Sequence, residues 1–356
     1  MGLLSPFWNV FDLTPEGRAD FMAKRTERHP PFWVSRALAP GVSWLWGARG
    51  GGGPRMLCSL SAHGNLLTSW AAITALGLVV TLLMSAALFR LSYWKPTFEQ
   101  WRRKSHPAYP PPAMVRREVL QMLKGTAAAT LPPALSLHLV NGAGSKAYCG
   151  VGEHGVGFLV VSFFLVWIVT DFYEFAYHRL GHRLRLAWRQ HKAHHVFHNP
   201  TPFAVIADEP IDQFVRALPL LFLPLLIPIN IDLLFFTFAL FFYGYGVYLH
   251  WGYELSWPDA HHPWLNTSYQ HHLHHARSTL QKPYHTGFFL KLWDQLAGGG
   301  YAGPCECSRC ARERGERSFE AWQQVEKPDY SVLLEPAFWW RGAPRATAAP
   351  TASSGS

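Results

Sequence analysis

The chain has 356 residues, of which 49% are hydrophobic and 15% aromatic while only 15% are charged, too few charges to clothe a soluble protein of this size. An ordinary soluble globule is thereby excluded and a membrane protein indicated. The formal net charge of +9 would suit a nucleic-acid binder, but Lys and Arg lie in loops between apolar runs rather than on one basic face, so the charge reads as membrane topology.

Residues 1–65 mix aromatics, prolines and charges, contain a glycine-rich linker at 50–53, and form a non-catalytic N-terminal region. No cleavable signal peptide is expected, and Pro6 stands where a myristoylation signal after Gly2 needs Ser or Thr. A transmembrane region follows over 66–150. It opens with the 24 uncharged residues 66–89, closed by Arg90, longer than the roughly 20 needed to span a bilayer. The next loop carries Lys95, Arg102, Arg103, Lys104, Arg116 and Arg117, which assigns it to the cytosolic side. A second span, 125–140, contains Pro132 and Pro133, which predict a kink or a re-entrant course.

Residues 151–300 read as a catalytic domain built around histidine motifs and a transmembrane hairpin. Residues 156–170 are apolar and run through Asp171, Phe172, Tyr173 and Glu174 into the first motif. The runs 217–229 and 233–249, separated by Asn230 and Asp232, predict the hairpin. This path brings every histidine motif to the cytosolic face. The tail 301–356 is expected to be partly disordered from residue 343 onward.

Fourteen of the nineteen histidines fall between His178 and His285. His178 and His182 are spaced for one helical face, as are His191, His194 and His195, and again His271, His274 and His275, so each motif is expected to offer its imidazoles to one side. Eight such ligands exceed what one metal accepts, and two metals are implied, best a pair of irons that activate oxygen. His250, at the end of the last apolar run, adds a ligand from another helix. Asp171, Glu174, Asp208, Glu209, Glu254 and Asp294 are the carboxylates available to orient the rings. His29, His63, His106, His138 and His154 read as ordinary surface or hydrogen-bonded residues; His198, His261, His262, His272 and His285 carry less of the metal signal than the motifs. Arg179, Arg183, Arg185, Arg189 and Lys192 form a basic patch, explained first by topology and headgroup contact and second by docking of an acidic electron donor.

Five cysteines, Cys58, Cys149, Cys305, Cys307 and Cys310, show no disulfide-framework spacing. Cys305, Cys307 and Cys310 supply three thiolates without a fourth ligand at zinc-finger spacing, which weighs against a structural zinc.

The order His178-Arg-Leu-Gly-His182, His191-Lys-Ala-His194-His195 and His271-His-Leu-His274-His275 resembles the fatty acid hydroxylase and sterol desaturase superfamily over about residues 156–300. The stretch Asn199-Pro-Thr-Pro-Phe-Ala204, Pro210-Ile-Asp212 and Leu218-Pro219 is similar to sterol C5-desaturases, and the segment from Gly287 through Trp293-Asp294 resembles the end of the family's catalytic region. By contrast, His250-Trp-Gly-Tyr-Glu254 is closer to sterol C4-methyl oxidases and cholesterol 25-hydroxylases. Tyr284-His285-Thr286 departs from the C5-desaturase pattern, and Glu254 stands where related fatty acid hydroxylases carry a further histidine.

The resemblance implies an all-α integral membrane protein of about four transmembrane helices under a cytosolic, helical, histidine-rich di-iron cap. The ligands would be His178, His182, His191, His194, His195, His250, His271, His274 and His275. It further implies a multi-pass oxidoreductase of the endoplasmic reticulum membrane using two iron ions and O2, with electrons from NAD(P)H through cytochrome b5 or its reductase. The substrate would be a sterol, given a C5 double bond, or a sterol or other lipid that is hydroxylated instead. A non-enzymatic alternative, metal transport or storage, fits less well, because the histidines lie beside the spans rather than along a pathway within them.

Overall fold

Uncharged runs that meet no water must satisfy their backbone internally, which favours long helices. The structure, a computed structural model, describes residues 65–140 and 144–341; the expectations for the N-terminal region, its linker, His29 and His63, and for the tail beyond 341, lie outside them. Helix α1 (Leu66–Ser92) starts at Asn65, whose side chain accepts from Thr68 N at 2.9 Å. After the short α2 (Phe98–Trp101) come α3 (Pro112–Ala129) and α4 (Leu131–Leu139). The break between them is where the prolines predict it, since Pro132 and Pro133 occupy the first turn of α4, a position that needs no N–H.

Strand β1 (Ala147–Tyr148) precedes α5 (Gly155–Arg183), α6 (Arg185–His191), α7 (Pro210–Arg216) and α8 (Pro219–Leu226). Strand β2 (Ile229–Asn230) leads into α9 (Ile231–Phe236), a π-helical stretch over Thr237–Phe242, and α10 (Tyr243–Leu249). Beyond lie α11 (Ser268–Arg277), α12 (Leu292–Leu296), α13 (Ser308–Glu313), α14 (Phe319–Gln324) and α15 (Pro336–Arg341).

Among the described residues three helical stretches, Leu66–Ser92, Gly155–Arg183 and Ile231–Leu249, are long and apolar enough to cross a membrane. Leu67, Leu83, Val156 and Val161 remain exposed along them, as expected of surfaces that face lipid. The chain returns between these helices by α3–α4 and by α7–α8. Trp70 and Thr74, early in α1, bond to Ala127 O at 2.8 Å and to the Thr130 hydroxyl at 2.6 Å, late in α3, while Tyr177 and Tyr173 of α5 bond Asp212 and Val215 in reversed order. Both returns are therefore antiparallel to their neighbours, and the C-terminal ends of the three long stretches share one end of the molecule. There Trp251 Nε1 and Tyr253 OH donate to Ser92 at 2.9 and 2.6 Å.

At the opposite end β1 pairs with β2 in parallel, Ala147 against Ile229 and Tyr148 against Asn230, a contact the hydropathy pattern does not announce. Asn230 also caps α9 through Leu233 N at 3.0 Å, so the turn expected at Asn230 and Asp232 is present. The first arm of the hairpin, however, is only the eight-residue α8, which has Pro224 inside it. Cys149, next to β1, is disulfide-bonded although the cysteine spacing shows no disulfide framework, whereas Cys305, Cys307 and Cys310 are free thiols.

An aliphatic core, including Leu137, Val166, Leu220, Ile229 and Leu234, fills the β1–β2 end. An aromatic core with Phe89, Tyr93, Trp101, Tyr109, Tyr253 and Trp322 fills the other. Gly125 permits the close packing of α3, for a Cβ there would lie 2.2 Å from Ile206 O. Lys104 is not the surface loop charge that topology suggests. It is 0% exposed, its ammonium 5.3–5.7 Å from the ring centroids of Tyr93, Tyr109 and Tyr253 and 3.1 Å from Asn199 Oδ1.

Candidate metal centre

The last two turns of α5 carry His178 and His182, α6 ends at His191, a 3₁₀ turn carries His194 and His195, His250 follows α10, and α11 carries His271, His274 and His275. These buried side chains gather as two groups, His178, His182, His191, His195 and His274 in one, and His194, His250, His271 and His275 in the other. The expectation that each motif faces one side therefore needs correction. Residues four apart stay together, but His194 and His274, three after the first histidine of their motifs, cross to the other group. Three residues advance a helix by about 300° and four by about 400°, so the intervening ring points elsewhere; in the second motif the helix has already given way to the 3₁₀ turn.

In the five-histidine group the ring nitrogens turned inward are Nε2. His195 Nε2 lies 3.1 Å from His191 Nε2 and 3.0 Å from His274 Nε2, and Nε2 of His178 and of His182 has no hydrogen-bond partner. In the four-histidine group, Nε2 of His250 is 3.3 Å from that of His194 and 2.9 Å from that of His271, which is 3.2 Å from that of His275. Imidazoles on one ion, with bonds of about 2.1 Å at right angles, place their nitrogens about 3 Å apart. The donor set thus fits a metal in each group: so many converging nitrogens cannot satisfy one another, and two buried ones remain orphaned.

Five of the outward Nδ1 atoms are held, while those of His195 and His275 have no hydrogen-bond partner. Those of His178, His182 and His274 face the carbonyls of Thr286, Thr279 and Tyr284 at 3.0, 3.2 and 2.6 Å. That of His191 is 3.0 Å from Asp212 and that of His250 is 2.7 Å from Gly246 O, whereas that of His194 faces Asp208 at 3.3 Å as a close contact rather than a hydrogen bond. An Nδ1–H so held fixes the tautomer that leaves Nε2 free for a metal. Burial, reinforced by neighbouring imidazoles, holds His194, His195, His271 and His275 well below the usual imidazole range, in the neutral form a metal ligand requires. Gly181 gives the site room, its missing Cβ lying 3.3 Å from the His191 ring.

Of the carboxylates singled out in the sequence, Asp208 alone approaches the rings directly. Asp171 accepts from Phe289 N and Trp293 Nε1, both at 2.7 Å. Asp294 binds Thr286 N at 3.0 Å and Gly287 N at 2.7 Å, shaping the loop whose carbonyl holds His178. Glu174 pairs with Arg216 at 2.6 Å. Glu209 makes no cap to α7. Glu254 belongs to neither histidine group and instead accepts from Ser308 N at 2.9 Å and Ser105 Oγ at 3.1 Å.

The residue that sequence reasoning missed is Asp212, which accepts from Tyr177 OH at 2.6 Å while facing His191. Asp208, in the bend just before α7, and Asp212, in its first turn, lie close in sequence but on different local structure. Burial opposes ionisation, yet His191 and Arg216 beside it hold Asp212 below the usual carboxylate range; Asp208 is pushed up by burial and by Asp212.

His272 faces away from both groups into a separate cleft of about 510 Å³, shared with His106, His198, Arg277 and Arg317. His198 Nδ1 lies 3.2 Å from His275 O, His262 Nδ1 accepts from Leu265 N at 3.0 Å, and His285 faces Tyr301 N at 3.4 Å. Arg179 donates to Ala297 O at 2.7 Å, while Arg183, Arg185, Arg189 and Lys192 are exposed.

With this arrangement established, comparison with known proteins is informative. The model of the fatty acid hydroxylase family matches residues 163–299, a stretch containing every histidine of both groups. Over 200 residues the chain is 30% identical to the human protein named lathosterol oxidase, covering 54% of this chain and 64% of that one. Over 251 residues it is 29% identical to the Delta(7)-sterol 5(6)-desaturase of Saccharomyces cerevisiae, covering 67% and 62%. A 34% identity to the Leptosphaeria maculans protein of the same name extends over 165 residues, 45% of this chain and 42% of that one. The chain thus spans less than two thirds of the length of these curated relatives. No solved structure matches.

Proposed function

We propose that this chain is a membrane-embedded oxidoreductase that removes hydrogen from a sterol, introducing a C5 double bond, with His178, His182, His191, His195 and His274 holding one iron and His194, His250, His271 and His275 the other. The observation that carries the reading is the convergence of nine buried imidazoles in two groups inside the stretch that the fatty acid hydroxylase family model matches, and the names of the relatives favour a sterol. Iron bound there would supply, with O2, an oxidant strong enough for an unactivated C–H bond. The protein's own part is to keep the imidazoles neutral and correctly tautomeric through Asp212, Asp208 and the carbonyls of Thr279, Tyr284 and Thr286, and to bury them away from water. The three long apolar stretches, all ending beside the histidines, suit a substrate that arrives from the bilayer.

Four crossings, the fourth through 125–140, would place the histidines on the cytosolic side of the endoplasmic reticulum membrane, within reach of cytochrome b5. The basic residues after α1 support that orientation, as does the Cys149 disulfide at the opposite end, where an oxidising lumen would form it. The exposed arginines of α6 suit an acidic donor.

The test is the sterol profile of C5-desaturase-deficient yeast expressing the chain, by mass spectrometry, with His274→Ala as control. A restored 5,6 double bond in wild-type cells alone is the expected result; its appearance in both, or in neither, overturns the desaturase assignment. A new lipid one oxygen heavier would instead favour hydroxylation, the reading to which the family's name gives weight.

A further inference from the structure

We infer that His261, Cys305, Cys307 and Cys310 form a second kind of metal site, a tetrahedral zinc site that fastens the C-terminal segment to the loop between α10 and α11. The fourth ligand that local cysteine spacing lacks comes from 44 residues upstream of Cys305. His261 Nε2 lies 3.5, 3.3 and 3.5 Å from the sulfurs of Cys305, Cys307 and Cys310, and the four ligand atoms all lie within 4.8 Å of one another. A tetrahedral ion with Zn–S of about 2.3 Å and Zn–N of about 2.0 Å places its sulfurs about 3.5 Å from the nitrogen. The observed separations match that edge for all three cysteines.

Simple packing accounts for less. Cys307 is buried against Ala260, Tyr269 and Leu273, as a small apolar residue would be, but Cys305 and Cys310 are only partly buried and His261 is exposed. Packing gives no reason for an exposed imidazole to aim one nitrogen at three sulfurs. The surroundings suit the net negative charge of three thiolates on a divalent ion. Cys310 N–H faces Cys307 Sγ at 3.4 Å, Tyr269 OH lies 3.8 Å from Cys305 Sγ, and Arg314 donates to Cys305 O at 2.9 Å. The soft sulfur-rich donor set also differs from the all-imidazole groups, which favours zinc here over the iron proposed there.

The consequence is structural. Between Cys307 and Cys310, Ser308 donates to Glu254, and beyond them Arg317 donates to the Lys104 and Ser105 carbonyls at 2.9 and 3.1 Å, so fastening 305–310 anchors the segment that brings Trp322 and Tyr330 to the aromatic core.

The experiment uses the full chain, purified in detergent under reducing conditions and exposed to zinc alone, with metal content measured beside the alkylation rate of its thiols. Beyond any zinc taken by the histidine groups, one equivalent is expected to be lost in Cys307→Ser and in His261→Ala, kept in His274→Ala and regained in His261→Cys; thiols should be shielded only with zinc, and cobalt in its place should give the absorption of a tetrahedral thiolate site. Because His261 is exposed, loss of zinc in His261→Ala is not explained by a collapsed core, even where Cys307→Ser fails to accumulate. Zinc content unchanged by both variants, or thiols that alkylate equally with and without zinc, would overturn the assignment.

Discussion

Two buried polar regions lie side by side at the same end of the molecule, and they are built on opposite principles. In the histidine centre, inward-facing nitrogens crowd one another and Nε2 of His178 and His182 has no partner. In the neighbouring cage, Lys104 meets three tyrosine rings and Asn199, and Glu118 accepts from Thr201 N at 3.1 Å and from its hydroxyl. Buried polar groups are costly when unmatched. The cage matches its central groups internally and is architecture, whereas the centre is complete only with something that accepts its lone pairs, namely a cation. The difference separates a binding site from a polar core better than burial does, since both are buried.

The sharpest way to break this comparison is to remove a ligand. His274→Ala or His194→Ala should reduce product formation to background and lower bound iron, while the protein still inserts into membranes at normal abundance. Activity persisting near wild type would return these histidines to the class of satisfied core residues. Next in size is Asp212→Asn. An amide holds the His191 ring less strongly and can select the wrong tautomer, so a fall of about 10–100-fold in iron affinity or turnover is expected, measured as iron per chain and initial rate. Asp208→Asn, acting on His194 from 3.3 Å and already pushed toward its neutral form, should cost less than Asp212→Asn.

How much of this was legible in the sequence follows from the range of each interaction. Eight of the nine histidines stood out because their spacing is local, His250 because it ends the last apolar run, and the long apolar stretches because a lipid-facing helix must be apolar nearly all round. The division of ligands between two groups was hidden, since it depends on where α6 yields to a 3₁₀ turn. Asp212 carries the same hidden information, for only folding shows whether it or Asp208, just before α7, bonds His191. His261 and the cysteines could not be joined on the page because their link crosses 44 residues. Lys104 misled for the opposite reason: the positive-inside rule treats every loop lysine as a surface charge, and only tertiary packing reveals an aromatic cage.

The cage should respond quite differently from the centre. Lys104→Met keeps apolar bulk among the tyrosines but removes the ammonium, so a stability loss on the order of 1–2 kcal/mol is expected, with turnover per folded molecule within about twofold of wild type. A larger fall in turnover with iron retained would mean that the cage takes part in the chemistry.

The smallest effect on turnover, and the most specific on stability, is expected from Glu118→Gln. Burial pushes the Glu118 carboxyl up to about 8, against the bonds from Thr201 and the charge of Lys104. A carboxyl raised on folding holds its proton in the folded protein while the unfolded chain has released it. Its contribution to stability is therefore full below the unfolded value, near 4.5, and is lost as pH rises toward 8. Glutamine is neutral throughout. Between pH 5 and 7, where Lys104, itself lowered by burial to about 7, adds little to the slope, the variant should gain on the wild type by roughly 1 kcal/mol per pH unit, read from thermal unfolding in detergent. A gap that stays constant over that window would show Glu118 ionised in the folded protein and paired with Lys104. The cage would then be held by a buried ion pair, whose partners are each costly to remove alone, rather than by a protonated acid and tyrosine rings.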